Sequence, residues 1–359
     1  MFIGLLVFVL IILLVIVLIF KKLDKLWKKL LGLVLTLVLA GFIGIKLALP
    51  MHPALKPQGS LPVKVDKIYY IHDTGISGME TGEGKEREVP ITVWSPEDLK
   101  EEQYPLFLFS PGSFGTATSN ESLFLELASR GYIVMGIDHP HQSFFSEMSD
   151  GKEIRADRSF LKEVMASQGS KDLKGTWESL DKWLEIRLED NNFILDKLLD
   201  DQEENQYEAK IDQSRIILSG HSLGGAAQLG LGRQRPKDIQ ALVILESPFA
   251  KDIEGIEGEK YVFTDEEYPL PILHIYSDSL WGKMDSITTY DMNQRLIAMK
   301  SPRFVNEHIE GSGHIGLTDF RLLSPILTNM IDQNLNSKDD KEVLEELNSY
   351  VLDFLDRLQ

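Results

Sequence analysis

The sequence predicts an α/β fold, a mostly parallel sheet with helices on both faces, set behind an N-terminal transmembrane helical hairpin. Three observations predict it. Short β-type runs recur along residues 64–359, and most are continuously apolar rather than alternating, as strands covered on both sides require. Helical patterns fill the gaps between them, the order that yields parallel strands joined by crossovers. The chain also opens on an apolar stretch of membrane-spanning length.

That stretch, FIGLLVFVLIILLVIVLIF at residues 2–20, contains no charged or hydrogen-bonding side chain. At about 1.5 Å per helical residue it nearly crosses a ~30 Å hydrocarbon layer. KKLDKLWKK follows, and then a second apolar run, 30–49, whose single charge, Lys46, lies near enough to its end to snorkel. Residues 1–50 are therefore expected to form two transmembrane helices with a short basic loop. A cleaved signal peptide fits less well, because no basic region precedes the first run and no small-residue cleavage signature precedes the second. The loop carries five lysines against Asp24. This net positive charge assigns it to the cytoplasm and the rest of the chain to the outside of the cell. The expectation is a multi-pass cell-membrane protein, held in the lipid bilayer through residues 2–20 and 30–49. Residues 51–63 are rich in proline and lack periodicity, as an extended linker would be, and the globular domain spans 64–359.

Within that domain KVDKIYYIH and REVPITVW read as an antiparallel hairpin. YPLFLFS and YIVMGID follow as strands, separated by the helix of NESLFLELASRG, with Asn120 as its cap and Gly131 at its end. Residues 151–210 break the rhythm as a helical insertion. The first half suits a mobile lid; in the second, Leu180, Trp183, Leu184, Leu188, Ile194, Leu195 and Leu198 share an apolar face that suits a crossover helix packed on the sheet. DQEENQYEAK reads as a solvated connection. RIILSG, ALVILES, PILHIYS and FVNEHIE complete the strands, TTYDMNQRLIAM is a helix before the last of them, and Val343, Leu347, Val351 and Phe354 define a closing helix that covers the core.

Composition narrows the function. With 359 residues and 43% hydrophobic content a sizeable core is available. The absence of cysteine excludes disulfides, thiolate metal sites and cysteine nucleophiles. The net charge of -18 would repel phosphates and argues against nucleic acid as a partner.

The chemistry lies in RIILSGHSLGGAAQLGLG, residues 215–232. GHSLG matches G-x-S-x-G, in which a serine sits on a sharp strand-to-helix turn where side chains at the glycine positions would strike neighbouring backbone. An apolar strand precedes Ser222 and a small-residue helix follows it, the context that separates this motif from a chance match. A serine hydroxyl needs a base oriented by an acid. His314, in EGSGHIGLTDF after the last strand, sits at the correct end of the sheet and preserves the chain order Ser, acid, His. His139 and His141 are further candidates to line the site, while His274 and His308 lie within strand runs and read as structural. Glu246 and Asp278 both follow strands and both qualify as the acid. The oxyanion of an acyl-transfer transition state would be met by the N–H groups of Leu223, after the nucleophile, and Ser113, in FSPGSFG; Pro111 has none to donate.

These residues resemble the α/β-hydrolase fold and, within it, the platelet-activating factor acetylhydrolase family with its bacterial relatives. The likeness runs in order through EREVPITVWSP, LFLFSPGSFG, LASRGYIVMGIDHPHQS, IILSGHSLGGAA, LVILESPF and GSGHIGLTDF. It implies a Ser222–His314–Glu246 triad with Ser113 and Leu223 as oxyanion donors, no metal and no cofactor. The implied substrates are small-molecule or lipid esters, including short or oxidised acyl chains of phospholipids. The chain departs from the family's pattern in two places, with Glu246 in LES where Leu-Asp-Ala is usual, which keeps Asp278 as the alternative acid, and with Pro-Gly where His-Gly precedes the oxyanion residue. The same serine would also serve an acyltransferase or thioesterase, and an inert hydrolase fold acting as a surface interaction module is the non-enzymatic alternative.

Overall fold

The computed structural model describes residues 25–101, 103–200 and 205–358. The first expected span, 2–20, lies outside them. The second is a single helix, α1 (Leu26–Ala48), long and apolar enough to cross a membrane. It starts inside the basic segment rather than at the apolar run, because Leu, Trp and Lys propagate a helix as readily as the residues beyond them.

Eight strands form one sheet: β1 (Val63–Asp73), β2 (Glu86–Pro96), β3 (Tyr104–Ser110), β4 (Ile133–Ile137), β7 (Ile211–His221), β8 (Ala241–Leu245), β11 (Ile272–Ser277) and β12 (Phe304–Ile309); β9 (Ile253–Glu257) and β10 (Lys260–Phe263) pair separately as an antiparallel hairpin. Their spatial order is β1-β2-β4-β3-β7-β8-β11-β12. β1 and β2 form the expected antiparallel hairpin, paired from Val63 opposite Pro96 to Asp73 opposite Glu86, and β2 meets β4 antiparallel. Every other pairing in the sheet is parallel. From β3 the chain crosses to β4 on one side, then returns to lay β7 on the other. That reversal opens a crevice at the carboxyl ends of β3 and β7, where open α/β sheets hold their ligands.

Successive strand residues point to opposite faces, and each face has its own core. On one side Leu106, Leu108, Ile216, Leu218, Leu242 and Ile244 pack with Leu188, Ile194 and Leu195 of a long helix and with Leu229 and Leu231 of the helix after β7. On the other, Phe107, Phe109, Val243 and Ile275 pack with Phe124 of α2 (Glu121–Ala128) and Val343, Leu347 and Val351 of the C-terminal helix Asp340–Asp356.

The insertion begins with a small hairpin, β5 (Phe145–Glu147) and β6 (Glu153–Arg155), followed by α3 (Arg158–Ser167) and the 27-residue α4 (Leu173–Leu199). The second half of α4 packs on the sheet as a crossover. α3 packs through Phe160 and Val164 against Trp183, Leu184 and Leu223, so it covers the first turn of the helix after β7. The connection 205–210 is only partly solvated: Gln206 and Ala209 are exposed, but Tyr207 is fully buried with its hydroxyl on Asp66, and Glu208 meets the Tyr70 hydroxyl. The extended linker is docked on the domain. The N–H groups of Met51 and His52 donate to Leu323 and Leu322, that of Leu55 to Ser122 Oγ (2.9 Å), and those of Gln58 and Leu61 to Glu126 and Ser129. A segment with no apolar period thus binds through its backbone.

Candidate active site

β7 ends at His221, and Ser222 opens the 13-residue helix α5 (Ser222–Gln234). Ser222 has φ 52°, in the left-handed region that disfavours any residue with a Cβ. The glycines make this turn possible. A Cβ on Gly220 would lie 2.5 Å from the Gly225 nitrogen, and one on Gly224 would overlap the carbonyl oxygens of Ser110 and Pro111. The elbow therefore presses directly against the end of β3.

Glu246 follows β8, is fully buried and has φ 46°. One carboxylate oxygen accepts from the Ser277 N–H at 2.5 Å and the other faces His314 Nδ1 at 2.7 Å. A carboxylate only accepts, so Nδ1 carries the proton and Nε2 of the neutral ring is left with its lone pair. The His314 side chain is 28% exposed, open enough to meet a substrate. Burial, the largest single influence, pulls its pKa down, but the hydrogen bond and charge of Glu246, with the charge of Asp332, outweigh it and leave the imidazole raised above its ordinary value. Asp332 also accepts from the N–H groups of Ile315 and Gly316, both at 2.9 Å, and so fixes the loop that carries the histidine.

His314 stands beside the elbow. Its carbonyl accepts from His221 Nε2 at 3.1 Å and the two rings lie 4.5 Å apart. Burial, helped by the neighbouring His314, holds His221 well below its usual pKa and therefore neutral. Asp278 is occupied elsewhere, with one oxygen 2.8 Å from His308 Nε2 and the other on the Gly311 N–H at 2.9 Å. The carboxylate in contact with His314 is thus that of Glu246.

The loop after β3 completes the ring of groups. A Cβ on Gly112 would lie 2.8 Å from His221 Nδ1 and 3.2 Å from Ser222 Cβ, so the loop backbone touches the elbow. The Phe114 N–H donates to Gln142 and that of Gly115 to Gly112, whereas the Ser113 N–H has no acceptor among the described residues. Leu223 lies in the first turn of α5, where N–H groups lack intrahelical acceptors and the helix dipole is positive. Phe114, at φ 64°, packs its ring 5.0 Å from Phe160, which lies 5.6 Å from Trp183.

The other histidines serve the framework. His139, which sequence reasoning offered as a lining residue, is fully buried and spans Asp190 and Ser110 Oγ, both at 2.8 Å; burial lowers it to about 4. His141 faces Asp157 at 3.2 Å, and His274 accepts from the Ser247 N–H. Sequence reasoning missed Asp332, Arg187 and Asp190. The last two lie three apart on α4, a spacing that places them on one helical face, but no motif marks them. A cavity of about 690 Å³ lies between the docked linker and the helices Glu121–Ala128 and Asp340–Asp356, and no residue of the serine site lines it.

The model of the family described as platelet-activating factor acetylhydrolase, isoform II, matches residues 85–359. The chain is 22% identical over 289 residues to the platelet-activating factor acetylhydrolase of Gallus gallus, covering 71% of this chain and 62% of that one. It is 32% identical over 125 residues to a protein of Arthroderma benhamiae described as "Probable 1-alkyl-2-acetylglycerophosphocholine esterase", covering 35% of this chain and 27% of that one. The chain thus spans less than two thirds of the length of either relative. Among solved structures, the ferulic acid esterase of Streptomyces cinnamoneus superposes with a TM-score of 0.63 at 18% identity, covering 86% of this chain and 93% of that one, which shows a shared fold. The family model matches seven of the eight strands, from β2 to β12, and takes in Ser222, Glu246 and His314: this chain belongs to the platelet-activating factor acetylhydrolase, isoform II, family.

Proposed function

We propose that the protein is a membrane-anchored serine hydrolase that cleaves carboxylic esters through an acyl-enzyme. One observation carries this reading: a serine strained into the left-handed region, beside an imidazole whose Nδ1 is held by a buried carboxylate. In this mechanism Ser222 Oγ attacks the ester carbonyl carbon while its proton passes to His314 Nε2. The N–H groups of Ser113 and Leu223 meet the resulting oxyanion, and Glu246 stabilises the imidazolium. The carbon–oxygen bond to the alcohol then breaks as His314 returns the proton to the departing oxygen. Water repeats the sequence on the acyl-serine and releases the acid.

The substrates are glycerophospholipids bearing short or oxidised acyl chains. The names of the relatives support this class, and the aromatic cluster of Phe114, Phe160 and Trp183, packed with Leu223 at the elbow, offers an apolar surface for an acyl chain. Residues 2–20 and the helix Leu26–Ala48 anchor the protein as two spans, with the basic segment cytoplasmic and the hydrolase domain outside the cell. A fluorophosphonate probe should label the wild type and leave Ser222→Ala unlabelled, with acetyl-ester turnover lost in parallel. Equal labelling of the two would remove Ser222 as the nucleophile.

A further inference from the structure

Helix α4 carries a buried cation directly beneath the loop after β3. Arg187 is fully buried, and its guanidinium donates to Gln142 Oε1 (2.7 Å), the Pro111 carbonyl (2.5 Å) and the Gly112 carbonyl (3.2 Å). All three acceptors are neutral, and Arg187 forms no ion pair among the described residues. The nearby carboxylate, Asp190, is taken by Arg87, which grips it at 2.7 and 2.9 Å, and by His139 at 2.8 Å. Two buried guanidinium groups therefore share one buried carboxylate, and the positive charge left over lies against Pro111 and Gly112. Burial lowers the pKa of Arg187 to about 9, which leaves it charged at neutral pH. A buried cation without a counter-ion is costly, and a purely structural role would be filled at lower cost by a neutral donor.

The geometry points to a function for that charge. The Gly112 carbonyl and the Ser113 N–H belong to one trans peptide, so they point in opposite directions. Holding the carbonyl oxygen on Arg187, and on the Gly115 N–H at 3.0 Å, fixes the Ser113 N–H on the opposite side. The guanidinium also polarises the same peptide and makes its N–H a stronger donor. We infer that Arg187 is a positioning residue for the oxyanion site, which aims and polarises the Ser113 N–H and adds net positive charge where the tetrahedral intermediate becomes negative. The insertion helix thereby supplies part of the electrostatics of the reaction. The inference rests on the assignment of Ser222 as nucleophile.

The test compares the full-length protein with Arg187→Met, which removes the charge, and Arg187→Lys, which keeps it without the fork, each checked for an unchanged melting transition. Turnover of a soluble acetyl ester in Arg187→Met should fall by about 10²-fold in kcat with KM changed by less than about threefold, and Arg187→Lys should fall between it and wild type. Affinity for a trifluoromethyl ketone, whose serine adduct carries the same oxyanion, should fall across the variants in proportion to kcat/KM. A folded Arg187→Met with wild-type kcat, or lost kcat with unchanged ketone affinity, would overturn the inference. Ser222→Ala run alongside separates the two readings. Turnover surviving in Ser222→Ala sinks the nucleophile assignment itself, whereas an inactive Ser222→Ala beside a fully active Arg187→Met sinks only the role of Arg187.

Discussion

Replacing Glu246 by Gln changes one atom from acceptor to donor and almost nothing of the shape. In the wild type both carboxylate oxygens accept, one from the Ser277 N–H and one from His314 Nδ1. A glutamine has one acceptor and one donor end. With its oxygen on Ser277, its NH₂ faces His314 Nδ1 and forces the ring into the tautomer protonated on Nε2, which cannot take the serine proton. With the amide reversed, two N–H donors confront each other in a fully buried pocket, at a cost of roughly 1–3 kcal/mol. The first arrangement wins, and kcat should fall on the order of 10⁴-fold, or about 5 kcal/mol of barrier, the effect of a wrong tautomer in a serine–histidine–acid site. Asp278→Asn breaks contacts to His308 and Gly311 but touches neither oxygen of Glu246. Its kcat should stay within about tenfold of wild type, since it lies outside the relay. Initial rates on a chromogenic acetate ester, with active sites counted by fluorophosphonate titration, give both values. An active Glu246→Gln beside an inactive Asp278→Asn would refute the reasoning.

Three further outcomes are expected. Because Glu246 and Asp332 raise His314 against the pull of burial, activity should be lost as pH falls through a value above that of an ordinary histidine, and the residual activity of Glu246→Gln should show this limb displaced to lower pH; an unmoved limb would exclude His314 as the group observed. Ser222→Gly should melt higher than Ser222→Ala by the equivalent of about 1 kcal/mol, since glycine relieves the strain at φ 52° and alanine retains it; equal melting would show that the turn is not strained. Burial raises Asp319 to about 7 against an ordinary value of 3.8, so the fold favours its protonated form, and the stabilisation present at pH 3–4 is lost as pH rises towards 7. Wild type should accordingly lose stability relative to Asp319→Asn between about pH 4 and pH 7 in chemical denaturation, and a constant difference across that window would contradict the assignment.

How much of this was legible in the sequence depends on where each interaction has its partner. The strands, the G-x-S-x-G turn and the glycine-flanked His314 loop are local patterns, and the structure has them where the periodicity and glycines put them. Elements whose partners come from far along the chain were not legible. Asn120 has the composition of a helix cap, yet its side chain donates to the Leu317 carbonyl, and the Ser122 N–H and hydroxyl are both met by Asp319, which arrives from the loop after His314. Apolar periodicity identifies the buried face of α4 but cannot register Arg187, Asp190 and Asn191 on it, because their polar partners, among them Arg87, Gln142 and Gln228, come from other elements. The linker before β1 has no period to detect, since backbone donors, rather than an apolar face, hold it to the domain.

The placement of strain explains why these distant pieces belong together. Phe114, Ser222 and Glu246, one each from the segments that follow β3, β7 and β8, have φ values of 64°, 52° and 46°. Each costs on the order of 1–2 kcal/mol, and such residues persist only where their surroundings over-determine them. Here the surroundings are identifiable. The Phe114 N–H donates to the Gln142 backbone carbonyl, and the Gln142 side-chain oxygen accepts from Arg187; the Glu246 carboxylate is held by Ser277 and His314; and the Ser222 turn is locked by backbone contact at Gly224. A strand that ended without strain would continue in its own direction and carry its side chain past the crevice. Turning sharply at three neighbouring strand ends instead directs an oxyanion loop, a hydroxyl and a carboxylate towards one point. α4 holds the first of these and the His314 loop converges on the third, so the insertion and the C-terminal third of the domain are as much a part of the site as the serine turn.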